Sequence, residues 1–565
     1  MIHFRSTHGA RFGLSDLIGG TPRTIADLIA RVSSLPVIPT QVILSQIQCL
    51  IANENGDYFE ERMRHHHLSP QANTVLNQFS AQKNMRVRLF TDMPILLVQE
   101  VFRQHHDPNL PEVPVSEAVQ PLMEAIFIAN DICNVMTAPP AQDPSTPDNY
   151  ASFALREILF NHTDQFRYMV GRSYLVYEGL KERCRTEYPN DFFDLEQFFQ
   201  IKLGVSLGAY FHSIFAIFSI WGRQEFDRID PQYNIIQPNQ WIENVTARGQ
   251  VNPVLTRFTQ PWASPQAITA TSSHADIRSF VYELFDLRTR PLLEIPQGNL
   301  CGNLNFIMRK YWDGPYYDVI AAGTNAEKDK FFRFLGRTLE MYVQGLLKAA
   351  FKKRFKKLIS GAGNPISDAV VDLNPNWRLV FEVKAKRPTR DMVSGTQAPA
   401  ELRSVAQMAF EGLEQLDLRI QEMIADGYEG RITPILVTGG HFPINDFLWR
   451  HYFQSVETLS FFQNEQVDWP QFMDIEALEV FTGLVGHARI ADMMREKLGE
   501  DWRKESFQNF LFAHYLTSGA VKERFNPVSQ ALYQDRMADL TATLFPESAR
   551  QMPPDGSWRP HFEPA

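Results

Sequence analysis

Two acidic residues and a lysine in the stretch Asp368-Ala-Val-Val-Asp-Leu-Asn-Pro-Asn-Trp-Arg-Leu-Val-Phe-Glu382-Val-Lys384 have the types and spacing to do chemistry. Runs rich in β-branched and aromatic residues flank the turn signal Asn374-Pro375-Asn376, so the segment reads as a β-hairpin. Centred on Pro375, the register sets Asp368 opposite Glu382 and Asp372 opposite Arg378. Directly opposed residues share a face, with Cβ atoms about 4.5–5.5 Å apart, and Lys384 joins them two positions beyond Glu382. Phe381, Val383 and Ala385 then turn towards the core, and the three chemical residues are expected on the wet face. Carboxylates this close raise each other's pKa, and a shared divalent cation relieves them. A hard cation such as Mg²⁺ (or Mn²⁺) takes a few carboxylate oxygens and completes its shell with water and substrate oxygens. Such a site polarises a phosphodiester and acidifies a bound water, while the lysine orients that water or steadies the developing charge. The implied reaction is phosphodiester hydrolysis. Nowhere else in the chain does an acidic residue stand two positions before a lysine. Asp372 receives the duller role of a cross-strand ion pair with Arg378.

The charge distribution suits a polyanionic substrate near this hairpin. Residues 326–390 hold 15 Lys/Arg and 6 Asp/Glu, a net of +9, whereas the whole chain carries −10, which leaves −10 − 9 = −19 for the remainder. The candidate phosphate contacts are Lys348, Lys352, Lys353, Arg354, Lys356 and Lys357 at the end of an expected helix, and Lys386, Arg387 and Arg390 after the hairpin. Cations at a helix C-terminus also complement its dipole, so the first cluster has a structural reason as well.

The segment resembles the core of the PD-(D/E)XK, or restriction-endonuclease-like, nuclease superfamily. In that family a helix bearing a Glu precedes the hairpin, a metal-binding Asp lies at an end of the first strand, Glu-x-Lys lies on the next, and a helix with Gln follows. The resemblance covers roughly residues 326–440. It implies Glu340 for the first helix, Asp368 and Glu382 as metal ligands with Glu340 in their shell, and Lys384 as the catalytic lysine. For the last helix it offers Gln407 or Gln415, which share a face with Glu411 at four-residue steps, so either could reach the site. Ser367 stands where the name-giving motif has Pro, a variation the family tolerates.

The elements that must position these residues follow from periodicity. A helix is expected over 326–358, strands over 367–373 and 377–386, a helix over 399–426 and a strand over 432–438. The fold class expected is therefore α/β, a restriction-endonuclease-like mixed-sheet core embedded in a larger, mainly α-helical protein. The domains read as an N-terminal helical region (1–138), a second helical region (148–302) with an irregular segment at 227–275, a nuclease domain (303–443), and a C-terminal helical region and tail (444–565). The Pro-rich run 138–147 separates the first two.

With 565 residues, 44% hydrophobic and 21% charged, the chain is globular rather than disordered. Cys49, Cys133, Cys184 and Cys301 are too far apart for a thiolate zinc knuckle, and with no apparent secretory signal a cytoplasmic setting is expected. The uncharged run 203–222 is expected as a buried helix rather than a membrane span, since His212 and three serines interrupt it. His65–His67 and His105–His106 read as solvated histidines. No phosphate-binding Gly-Lys loop, His-Glu-x-x-His or Gly-x-Ser-x-Gly is present. The sequence thus points to a metal-dependent nuclease acting on DNA before RNA, with a role in bacterial defence as a fold-level analogy. Protein partners through the helical regions and self-association stay open. The rival reading is a catalytically silent, mainly helical interaction protein that keeps the fold to bind nucleic acid or protein.

Overall fold

Thr324 starts the helix that carries Glu340, α1 (Asn325–Phe351). The Thr324 hydroxyl accepts from Glu327 N–H at 3.3 Å, and the Glu327 carboxylate accepts from Thr324 N–H at 2.7 Å, a reciprocal capping box. Phe331, Phe334, Leu335, Leu339, Tyr342, Val343 and Leu346 recur at three- and four-residue steps and form its buried stripe. The helix expected to reach residue 358 stops at Phe351 instead. Lys352 adopts φ 52°, Lys352–Arg354 form a short 3₁₀ turn, and β1 (Phe355–Lys357) follows. Continuing the helix would have stacked the basic run 352–357 on successive turns, where like charges repel.

In the computed structural model the described residues are 10–52, 64, 68–83, 87–136, 166–222, 252–357, 368–387, 398–440, 461–514, 534–535 and 538, with short interruptions inside the longer ranges. After β1 come β2 (Ala369–Asn374), β3 (Trp377–Lys384), α2 (Ala398–Ala425), β4 (Arg431–Thr438), β5 (Gln471–Asp474) and α3 (Ile475–Leu484). The sheet order is β5-β4-β3-β2-β1, with β1, β2 and β3 antiparallel and β3, β4 and β5 parallel. Pairs Ala369 with Phe381, Val370 with Val380 and Asp372 with Arg378 realise the Pro375-centred register, and the irregularity near the turn lies between Asp372 and Asn374.

β3 lies inside the sheet and is covered. Val370 and Val380 pack with Ala409, Leu413, Leu416, Ile420 and Met423 of α2 and with Ile432, Leu436 and Phe472. This is the parity that carries Glu382 and Lys384, so the face expected to be wet is covered by α2. The opposite parity, Leu379 and Phe381, is equally buried. α1 packs on β1, β2, β3 and α3.

The chain divides into two compact units, Met1–Pro140 with Gly204–Lys310, and Ala141–Leu203 with Tyr311–Ala565. Two boundaries differ from those expected. The region 148–302 is shared between the units, and the sheet takes β5 from beyond residue 443. The first unit contains the helices Ile25–Val32, Val37–Ala52, Asp92–His105, Val115–Met136 and Leu207–Gly222 and a small mixed sheet, Thr259–Pro261, Leu292–Ile295 and Gly298–Cys301. Tyr210, Phe211, Ile214, Ile217 and Trp221 of Leu207–Gly222 are buried, and among the described residues no single helix is long and apolar enough to cross a membrane. His105 and His106 are half-buried, each with a ring nitrogen on a backbone carbonyl, rather than solvated. His65–His67 lie outside the described residues. The architecture is mixed α/β with helix predominating.

Thr324→Ala should destabilise the protein by about 1 kcal/mol, read as a lower urea midpoint, while Thr324→Ser should stay close to wild type. Equal midpoints for all three proteins would show that the cap does not hold this end of α1.

Candidate functional site

The end of the hairpin departs from a plain ladder at the position that matters. Beyond the pair Ala369–Phe381, Asp368 N–H donates to Phe381 O at 2.9 Å, and Asp368 Oδ2 accepts from Val383 N–H at 2.7 Å. The carboxylate thus folds over the strand beside Glu382 instead of projecting into water, and no hydrogen bond among the described residues reaches its Oδ1. Glu382 is 6% exposed. Its Oε1 accepts from Lys384 Nζ at 2.9 Å, and its Oε2 is buried without a partner. Lys384 Nζ also donates to Gln415 Oε1 on α2. Gly412, one turn before Gln415, lets α2 approach: a Cβ there would sit 2.5 Å from Leu436 Cδ1 and 3.4 Å from Lys384 Cε.

α1 brings Glu340 to the same place through Gln344, one turn further on. Gln344 Nε2 donates to Glu340 Oε1 at 3.0 Å and to Asp368 O at 3.1 Å, tying helix to hairpin. Glu340 Oε2 accepts from Arg337 Nη1 at 3.3 Å. Burial, then the Glu382 and Glu340 carboxylates, hold Asp368 well above the usual carboxylate range, against the Val383 N–H and Lys384. Burial also raises Glu382, with Lys384 pulling the other way. Asp368, Glu382, Glu340 and Lys384 therefore form one electrostatic group.

Of the two candidate glutamines, Gln415 reaches Lys384, while Gln407 is exposed and donates to Glu411 at 3.4 Å. Asp372 pairs with Arg378 at 2.9 Å and also with Lys356 at 2.6 Å, so Lys356 is partly neutralised. Lys348, Lys352, Lys353 and Arg354 are exposed. Arg387 is not a surface phosphate contact. It is buried, stacked 3.9 Å over Trp312 and 4.9 Å over Tyr316, and donates to Trp312 O, Asp313 and Tyr177. Lys386, Arg390 and the Lys357 side chain lie outside the described residues. Gln344 and Arg337 were missed in the sequence, although their offsets of four and three residues from Glu340 place them beside it on a helix.

Among the described residues, no three His, Cys, Asp or Glu side chains converge tightly enough to cage a metal. The donors fit a sparser site: the orphaned Glu382 Oε2 and the Asp368 carboxylate are hard oxygens held close together at a cost that a divalent cation would relieve.

A carboxyl raised in the folded state binds its proton more tightly there than in the unfolded chain. Its stabilising contribution is full below the unfolded pKa and is lost as pH rises from that value through the raised folded one. Asp368→Asn keeps an oxygen for the Val383 N–H and removes this loss. With divalent cations chelated, the variant should be more stable than wild type at pH 7–8 by on the order of 1 kcal/mol, and the gap should close towards pH 4. A pH-independent gap, or a less stable variant at pH 8, would contradict the raised carboxyl.

No protein-family model, curated protein or solved structure matches this chain, so a functional reading rests on the arrangement of these side chains.

Proposed function

We propose that the protein is a metal-dependent nuclease of the PD-(D/E)XK class that hydrolyses phosphodiester bonds in nucleic acid, with DNA preferred over RNA. The observation that carries this reading is the buried, unpartnered Glu382 Oε2 beside the Asp368 carboxylate and the doubly held Lys384. An unpaired buried carboxylate oxygen is costly, and such costs persist where a site needs them. The element order also supports it: a helix with Glu340, a hairpin with Asp368 and Glu382-x-Lys384, and a helix with Gln415 follow in the order the resemblance implies.

In this reading Asp368 and Glu382 hold a Mg²⁺ or Mn²⁺ ion, with Glu340 in its shell. When bound, the ion supplies Lewis-acid activation of the phosphodiester and of a water. Glu382 and Gln415 fix the ammonium of Lys384, which orients the attacking water or stabilises negative charge on the phosphate oxygens. Gln344 keeps α1 and the hairpin in register, so that Glu340 stays beside the site. The exposed Lys348 lies in the last turn of α1, and Lys352, Lys353 and Arg354 lie in the 3₁₀ turn that follows it. Lys348 is eight residues, about 12 Å of helix, beyond Glu340, within reach of a strand threaded through the site.

Incubated with circular DNA, linear DNA and RNA, wild type should cleave with Mg²⁺ or Mn²⁺ and not with EDTA. Asp368→Asn, Glu382→Gln and Lys384→Met should each lose at least about a hundredfold in rate. Asp372→Asn should remain active, because that residue serves an ion pair outside the site. A wild type that binds nucleic acid without cutting it would favour the silent interaction protein. Equal cutting by all variants would remove the site assignment.

Replacing Lys348, Lys352, Lys353 and Arg354 by Glu should weaken duplex binding and flatten its log–log salt dependence by about 0.9 for each phosphate no longer neutralised. An unchanged slope would show that the protein meets nucleic acid through other residues.

A further inference from the structure

Glu340 is the one carboxylate of the group with both oxygens engaged by side chains, and the cation that engages it is itself shared. Arg337 Nη1 donates to Glu340 Oε2 at 3.3 Å while its Nε donates to Asp191 Oδ2 at 3.0 Å. Asp191 also faces Arg333, at 3.4 Å, and the Arg337 guanidinium lies 4.6 Å over the Tyr188 ring. Arg337 is 42% exposed, Glu340 15% and Asp191 21%. The guanidinium can therefore swing, whereas the two carboxylates it bridges are better held.

We propose that Arg337 and Asp191 are positioning residues that set how far Glu340 is available to a divalent cation. The inference rests on the metal-site reading above. Each increment of Arg337 charge on Glu340 neutralises a carboxylate the cation would use and adds a positive charge beside it. Asp191 holds the Nε side of the guanidinium and so limits how closely it settles on Glu340. The segment after helix Lys181–Glu187, far from the hairpin in sequence, thus tunes the site through one side chain. Removing Arg337 leaves the neutral Gln344 as Glu340's hydrogen-bond partner and Arg183, itself paired with Glu187, as a more remote cation. Removing the Asp191 charge lets Arg337 settle on Glu340.

The two substitutions should therefore act in opposite directions, which a packing defect alone would not produce. By isothermal titration with Mn²⁺, Arg337→Gln should tighten binding about two- to fivefold and Asp191→Asn should weaken it by a similar factor, the range of a partly exposed charge pair. The double variant should follow Arg337→Gln, since Arg337 is the group that Asp191 shares with Glu340. In a Glu340→Gln background the gain from Arg337→Gln should vanish. Thermal midpoints in EDTA identify any variant that is merely unfolded, and Asp191→Asn at the rim provides the second route if Arg337→Gln folds poorly. Weaker or unchanged binding in Arg337→Gln, a shift in the same direction for both variants, or a gain that survives Glu340→Gln would overturn the proposal. Wild type binding no Mn²⁺, or Asp368→Asn binding it as wild type does, would instead bring down the metal site and this inference with it.

Discussion

Two carboxylates crowded at the end of an interior strand and covered by a helix impose a cost that the surrounding structure has to contain. Burial raises the proton affinity of both Asp368 and Glu382, the Glu382 and Glu340 carboxylates raise Asp368 further, and Lys384 offsets only part of this. Left free, such a group would splay the hairpin end and draw in water. What prevents this is a set of short, directional contacts: Val383 N–H on Asp368, Gln344 between Asp368 and Glu340, and Gln415 on Lys384. Each belongs to a different element, so the sheet and both helices converge on the same few atoms.

The strand end beyond Lys384 is clamped with equal care. Gly439 N–H donates to Lys384 O at 2.8 Å, and Trp312 Nε1 donates to Gly439 O at 3.2 Å. Two guanidiniums lie against the Trp312 ring, Arg387 at 3.9 Å and Arg172 at 4.7 Å, and the Trp312 carbonyl accepts from Arg387 and from the Tyr177 hydroxyl. Arg172 in turn pairs with Glu479 of α3 at 3.6 Å, and Tyr342 of α1 donates to Glu479 at 2.7 Å. Arg387 is hydrogen-bonded and paired with Asp313, and Arg172 is held by its ion pair with Glu479 and by the face of Trp312. Through them residues 166–203 become part of the site's support rather than a separate helical region. A rigid frame of this kind is what a pair of strained carboxylates needs to stay poised.

Positive charge divides between two tasks that look alike in composition. Arg387 and Arg172 are structural, inside the protein: both guanidiniums lie over Trp312, Arg387 donates to the Trp312 carbonyl, and Arg172 faces the Glu479 carboxylate. Lys348, Lys352, Lys353 and Arg354 stand in solvent, where a polyanion could meet them. The net of +9 over residues 326–390 therefore overstates the charge available at the surface, and Lys356, paired with Asp372, reduces it again.

What the sequence determined by itself was local: the Pro375-centred register, the course of the helices that flank the hairpin, and the Glu-x-Lys spacing. Alternation, turn residues and side chains three or four apart act over a few ångströms of contiguous chain, so they are written where they act. Which face of β3 would be wet was not of this kind. It was decided by α2, whose Leu413, Leu416 and Ile420 close over Val380 and leave Glu382 buried. The same docking selected Gln415 over Gln407, which periodicity alone places on one face. Arg387 reads as a surface cation until Trp312 and Tyr177 arrive from 75 and 210 residues away to stack and bond with it. β5 is four residues long and gains its identity only by pairing with β4. Burial depends on what packs above a residue, and the packing partners here come from distant parts of the chain, so only the tertiary structure could settle it.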